Sequence, residues 1–189
     1  MLLTVLSTLS FATEWQSPPQ EVLEVLHAPR LPWVWTAPSG AHMIIADPVT
    51  YPPLAEYAAG WHELAGFRVR PGLGIRHGQQ GATTPRILAV EGGAETALAL
   101  PEGYEVHAVS WTADGQRFAL TVEHPDHVGL WVGDVAGGLS EIEGVRLNPL
   151  LGSAVQWMPD QEQLLVRSVP EGRGAEPAAP AIPAGPEVL

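Results

Sequence analysis

Trp111-Thr112-Ala113-Asp114-Gly115-Gln116-Arg117-Phe118-Ala119-Leu120-Thr121-Val122-Glu123 decides how the chain is read. A large aromatic closes one strand, Asp and Gly supply the residues a tight turn needs, and an alternating strand follows. Along it, Phe118, Leu120 and Val122 share one face, while Ala119, Thr121 and Glu123 share the other. The unit recurs. Trp157-Met158-Pro159-Asp160 leads into Leu164-Leu165-Val166, with the Asp again three positions after the Trp and the apolar strand seven after it. Trp35-Thr36-Ala37-Pro38-Ser39-Gly40 leads into Met43-Ile44-Ile45, but this copy is one residue longer and has no Asp.

Outward from the second copy, Val128-Gly129-Leu130-Trp131-Val132 predicts a third strand and Leu139-Ser140-Glu141-Ile142 a fourth. Trp111 and Trp157 are 46 residues apart, which fits the period of about 40–50 residues of a four-stranded propeller blade. Trp35 and Trp111 are 76 apart. The excess is assigned to an insertion near 50–70, where Tyr51-Pro52-Pro53 opens a short helix with Leu54, Tyr57 and Ala58 on one face. Strands resume at Arg86-Ile87-Leu88-Ala89-Val90 and Ala97-Leu98-Ala99-Leu100.

The expected fold is therefore all-β: a partial β-propeller of four-stranded antiparallel blades with short helical insertions. Residues 31–169 form the incomplete propeller, with room for two whole blades and flanking strands. Residues 1–30 precede it with a strand over Leu3 to Leu9 and a short helix started at Ser17-Pro18-Pro19-Gln20 and stopped by Pro29. Residues 170–189, rich in Pro, Ala and Gly, read as an extended connector. A connector leading nowhere suggests that the natural protein continues, and an open ring would expose strand edges that favour self-association. A meandering sandwich is the alternative topology.

Composition narrows the partners. Nine basic residues, all Arg, face 21 acidic ones for a net charge of −12, which repels nucleic-acid phosphates and anionic membranes. No apolar run approaches the roughly 20 residues that span a bilayer. The absence of Cys excludes disulfides and thiolate chemistry and fits a reducing, cytoplasmic setting.

Several segments together resemble a known family. Glu14-Trp15-Gln16-Ser17-Pro18-Pro19 with Ala28-Pro29-Arg30-Leu31-Pro32, then Pro52-Pro53-Leu54-Ala55-Glu56 with Leu64-Ala65-Gly66-Phe67-Arg68, and the exit Pro183-Ala184-Gly185-Pro186 are similar, in order and spacing, to glutamyl-endopeptidase-like members of the prolyl oligopeptidase family. The resemblance implies an N-terminal propeller that restricts access to an α/β-hydrolase domain. That domain would carry a Ser-Asp-His triad and, in the glutamyl branch, cleave peptides after acidic residues. It would be this chain's partner, with peptides as substrates and no cofactor. No Gly-x-Ser-x-Gly pentad occurs in the chain, so no catalytic residue is assigned and the chain is expected to be inactive alone. A stand-alone all-β binding or scaffold module is the alternative function.

Three constellations remain. His124-Pro125-Asp126-His127 offers zinc-type ligands, but Pro125 forbids a helix that would aim both imidazoles together and no third or fourth ligand can be named. It is read as a polar turn, and no metal residue is assigned. Gly72-Leu73-Gly74-Ile75-Arg76-His77-Gly78 lacks the end of a phosphate-binding loop and is read as a flexible loop, with no cofactor-binding residue. With Arg68 and Arg70, its Arg76 and His77 concentrate positive charge that would suit an acidic substrate. Trp33, Trp35 and Trp61 are expected in the core.

Overall fold

The structure, a computed structural model, describes residues 17–174, and the chain divides between Arg30 and Leu31 into two units. The strand expected over Leu3 to Leu9 and most of the 170–189 connector lie outside the described residues. In the first unit, α1 (Gln20–Leu26) has Pro19 as its N-cap in place of Ser17. The reason is local: Pro19, with ψ of 152°, stays extended while its carbonyl accepts the amides of Val22 and Leu23 at 3.0 and 3.1 Å. Of its apolar positions, Leu23 is half-buried and Val22, Val25 and Leu26 are exposed.

The second unit is all-β. In chain order it holds β1 (Trp33–Thr36), β2 (His42–Pro48), α2 (Leu54–Ala58), β3 (His62–Leu64), β4 (Phe67–Val69), β5 (Ala82–Ala89), β6 (Glu95–Ala97), β7 (Glu105–Trp111), β8 (Arg117–Glu123), β9 (Val128–Asp134), β10 (Leu139–Glu141), β11 (Val155–Trp157) and β12 (Leu164–Val166). β1-β2-β5-β6 and β7-β8-β9-β10 are antiparallel meanders of four strands each, and β11-β12 is a separate hairpin. A single pair, Ala82 with Val106, joins the two meanders.

The Trp segments occupy equivalent places. Trp111 and Trp157 end the first strands, opposite Phe118 and Leu164 at the starts of the second, and in the first copy Thr36, opposite Met43, holds that place with Trp35 one residue before it. Each turn closes with the same two backbone bonds. Ala37, Thr112 and Met158 donate to the carbonyls five residues on, His42, Arg117 and Gln163, each at 2.9 Å. Their own carbonyls accept from the residue three on, Gly40, Gly115 and Gln161, which carry φ of 71°, 68° and 58°. The left-handed residue matches the hairpin geometry in which a type I turn ends on one positive φ. The first copy, though irregular when counted from Trp35, is thus the same turn begun one residue later. Asp114 Oδ1 accepts the Gln116 amide at 3.0 Å and Asp160 Oδ1 that of Glu162 at 2.9 Å, which explains the recurrent Asp.

The indoles link one sheet to the next. Trp111 Nε1 donates to the Trp35 carbonyl at 3.2 Å, and Trp157 Nε1 to the Ser110 carbonyl at 2.9 Å. β8 is buried on both faces: Phe118, Leu120 and Val122 join Ile44, Ile87 and Trp131 in one cluster, while Ala119 joins Leu130, Leu147 and Val155 in another. Each such fully buried large side chain contributes on the order of 2 kcal/mol. The two meanders and the hairpin are therefore held by successive apolar layers on alternate faces of their strands.

The insertion differs from the reading. Beyond the five residues of α2 it is a β-hairpin, β3 with β4, turned at Ala65 and Gly66 with φ of 48° and 84°. Leu54 and Tyr57 are exposed, and Trp61, expected in the core, is 43% exposed, its ring 4.7 Å from that of His77 and 5.2 Å from the Arg68 guanidinium. The 72–78 segment is a built loop: Leu73 and Ile75 are buried, and the Arg70 and His77 amides bond to Ile75 and Arg68 carbonyls at 2.9 and 2.8 Å.

Candidate functional site

Strand alternation sends the Trp turns to one end of each meander and the connections after its second and fourth strands to the other. Charged and imidazole side chains gather at that second end, where β7 begins and β8 ends. Glu105 and Glu123 stand opposite each other there, a like-charge pair that needs compensation. Arg70 arrives from the insertion and donates from Nη1 to Glu123 Oε1 at 2.7 Å, with Glu56 Oε1 at 3.6 Å. His107, on β7, meets Glu123 Oε2 through Nε2 at 2.7 Å, and Gln79 Nε2 lies 3.3 Å from its Nδ1. The Gly81 amide donates to Glu105 Oε2 at 3.0 Å. Gly81 is required for this approach, because a Cβ there would stand 2.5 Å from that of Glu105. Burial raises the Glu105 carboxyl above its ordinary pKa, the charge of Glu123 adds to the rise, and the Gly81 amide opposes it.

This cluster borders an open cleft of about 540 Å³ lined by Arg76, His77, Gln79, His107, Thr121 and Ser153, among others. The four cationic candidates separate here. Arg70 is turned inward on Glu123 and Glu56, and Arg68 pairs with Glu63 at 3.5 Å. Arg76 and His77 line the cleft, the Arg76 guanidinium lying 4.4 Å over the Phe67 ring. The hydroxyl of Ser153 donates to the Val155 carbonyl at 2.8 Å, and each polar atom of the His107 ring has a carboxylate or amide partner. Among the described residues lining the cleft, no nucleophile is aligned on a base.

A second cluster lies at the β8–β9 turn, which the His124 amide closes on the His127 carbonyl at 2.8 Å. His124 is buried against the Tyr104 ring at 4.2 Å, and its Nε2 accepts from Trp131 Nε1 at 3.2 Å. Burial, then the nearby His127, lower its pKa. His127 Nδ1 is 2.8 Å from Asp126 Oδ1, and this bond to His127 lowers the Asp126 pKa. Glu141, which the sequence reading did not connect to this turn, arrives from β10. Its Oε1 is 3.8 Å from His124 Nε2 and 3.9 Å from His127 Nε2. A third ligand, missing from the sequence motif, is therefore supplied by strand pairing.

No family model matches the chain. It is similar to two curated plant proteins named "Probable glutamyl endopeptidase, chloroplastic". Identity to that of Oryza sativa subsp. japonica is 29% over 193 residues, covering 90% of this chain and 20% of the relative. Identity to that of Arabidopsis thaliana is 27% over 202 residues, covering 96% and 20%. The chain therefore spans about a fifth of the length of these relatives, a weak link to a region of a peptidase. No helix among the described residues is long and apolar enough to cross a membrane.

Proposed function

We propose that this chain is part of the N-terminal, non-catalytic propeller of a serine peptidase of the prolyl oligopeptidase family, in its glutamyl-endopeptidase-like branch. In this reading the two meanders are successive blades and β11-β12 opens a third. The observation that carries it is the threefold recurrence of one turn geometry, with the indoles of Trp111 and Trp157 each bonded to the first strand of the preceding sheet. Similarity over most of this chain to a fifth of each plant relative supports it from the sequence side.

The propeller screens what reaches a hydrolase domain carried by the rest of the polypeptide, admitting peptides and excluding folded proteins. Chemistry belongs to that domain's Ser-Asp-His triad. The cleft is the surface of this chain suited to an acidic peptide, because Arg76 and His77 are the cationic candidates that line it. The Cys-free composition is in keeping with a cytoplasmic setting.

The test is expression of the complete reading frame beside the 189-residue chain, each treated with a fluorophosphonate label for activated serines. The longer protein is expected to label and to cleave Glu-containing peptides faster than a folded protein, and this chain to do neither. A complete reading frame that ends at residue 189, or one that never labels, overturns the proposal and favours a binding or scaffold module.

A further inference from the structure

We infer that His124, His127 and Glu141 form a binding site for a divalent transition-metal cation of the zinc type. The donors are two imidazole nitrogens and a carboxylate oxygen: Glu141 Oε1 lies 3.8 and 3.9 Å from His124 Nε2 and His127 Nε2, and the three donors lie within 4.8 Å of one another across the β8–β9 turn and β10. Tetrahedral ligands bonded at 2.0–2.1 Å stand about 3.4 Å apart, so closure by roughly 0.5 Å brings Glu141 into range of each imidazole, and the two imidazoles need to close by about 1.4 Å at most. The side chains of His127 and Glu141 are 20% and 34% exposed, which leaves an entry path and a fourth position for water.

The turn also supplies what usually surrounds a ligating histidine. Asp126 accepts from His127 Nδ1 at 2.8 Å, fixing the tautomer that leaves the Nε2 lone pair free toward Glu141. A carboxylate on the far nitrogen orients such ligands and raises their basicity. Arg146 is a cation nearby, and it is engaged by Asp126: its Nη2 donates to the Asp126 carbonyl at 2.9 Å and its Nη1 is 4.0 Å from the Asp126 carboxylate. One bond must yield: the Trp131 indole N–H that now occupies His124 Nε2 at 3.2 Å. Trp131 is therefore a built-in reporter of occupancy.

The neighbouring trio of Glu105, His107 and Glu123 has the same residue types but a different character. Its donors are already engaged by Arg70, Gln79 and the Gly81 amide, and a guanidinium 2.7 Å from Glu123 repels a cation. The two clusters make a controlled comparison.

The test uses the whole chain without a histidine tag. Zn²⁺ binding is followed by calorimetry, Co²⁺ by visible absorption, whose intensity distinguishes tetrahedral from octahedral coordination, and both by Trp fluorescence. One ion per chain is expected, with a tetrahedral Co²⁺ spectrum and a change in Trp emission. His127→Ala and Glu141→Gln, both at partly exposed positions, should each weaken binding by tenfold or more, and Asp126→Asn by about tenfold. Gln79→Ala, beside the other trio, should leave binding unchanged. Absence of binding to the folded chain, or affinity unchanged in His127→Ala and Glu141→Gln, overturns the inference.

Discussion

Replacing Arg70 by Met would remove the cation that holds Glu123 inside the fold. The two side chains are 18% and 11% exposed and 2.7 Å apart, so this is a largely buried pair. At an effective dielectric of 20 the attraction of unit charges at such range is on the order of 6 kcal/mol, before desolvation is counted. Deleting one member of a buried pair typically costs about 3–5 kcal/mol, because the other charge is left unmatched. Here His107 remains 2.7 Å from the same carboxylate and can take over part of the compensation. We therefore expect Arg70→Met to cost about 2–3 kcal/mol, just below that range.

Glu123→Gln should cost less, about 1–2 kcal/mol, since Arg70 keeps Glu56 at 3.6 Å. The double variant should fall short of the sum by about 1 kcal/mol or more, the signature of two groups that interact directly. Urea unfolding followed by Trp fluorescence at low micromolar concentration gives these numbers, repeated at a second concentration to separate folding from association. Arg70 also anchors the insertion to β8, so hydrogen exchange in β3 and β4 should accelerate in Arg70→Met and not in Glu123→Gln. A cost below about 0.5 kcal/mol for Arg70→Met, or strict additivity in the cycle, would show that the cluster behaves as an exposed pair.

Three further outcomes are expected. Gly133→Ala should destabilise by about 2–3 kcal/mol, since its Cβ would meet the Gly138 carbonyl at 2.5 Å and the Phe118 ring at 2.6 Å; an unchanged urea midpoint would contradict the close approach. Trp111→Phe keeps the aromatic body but loses the indole bond to the Trp35 carbonyl, and should cost about 1–2 kcal/mol by the same assay. Glu105→Gln tests the raised carboxyl. Its folded pKa lies above the ordinary 4.5, so its contribution is fully present below that pH and lost as pH rises through the raised value. The variant should therefore gain stability relative to the parent as pH climbs from the acid side to neutrality, and parallel pH curves would refute the assignment.

Much of the fold was legible because the turn is a local object. Its Asp, its glycine and the alternation after it lie within one short stretch, and the two predicted faces of β8 are the two faces the structure buries. The first copy looked irregular only because it was counted from Trp35. Hydrogen bonding counts from the residue that opens the turn, Ala37, and from there all three copies agree. The insertion was harder. His62-Glu63-Leu64 is too short and polar to announce a strand, and the signal that could have revealed the hairpin is Ala65-Gly66, which adopts the paired positive φ of a tight reversal. Trp61 belongs to that exposed hairpin, so the general tendency of Trp to be buried misplaced it.

The clusters were legible only in part, through His124, His127 and Arg70, and register shows what was missing. Glu123 pairs with Val128, which puts His124 and His127 at the two ends of the connecting turn. Glu141 pairs with Trp131, and Trp131 reaches back to His124 through its indole nitrogen. Once the strand at Leu139 is set against Gly133, Glu141 has no position other than beside the two imidazoles. The predicted third and fourth strands contained those residues, but their relative register was never derived, and a slip of one residue would have turned Glu141 to the opposite face. Arg70 lies 53 residues before its partner, beyond any local pattern. Chemistry that depends on one side chain meeting another across a sheet becomes readable only when alternation and pairing are solved together.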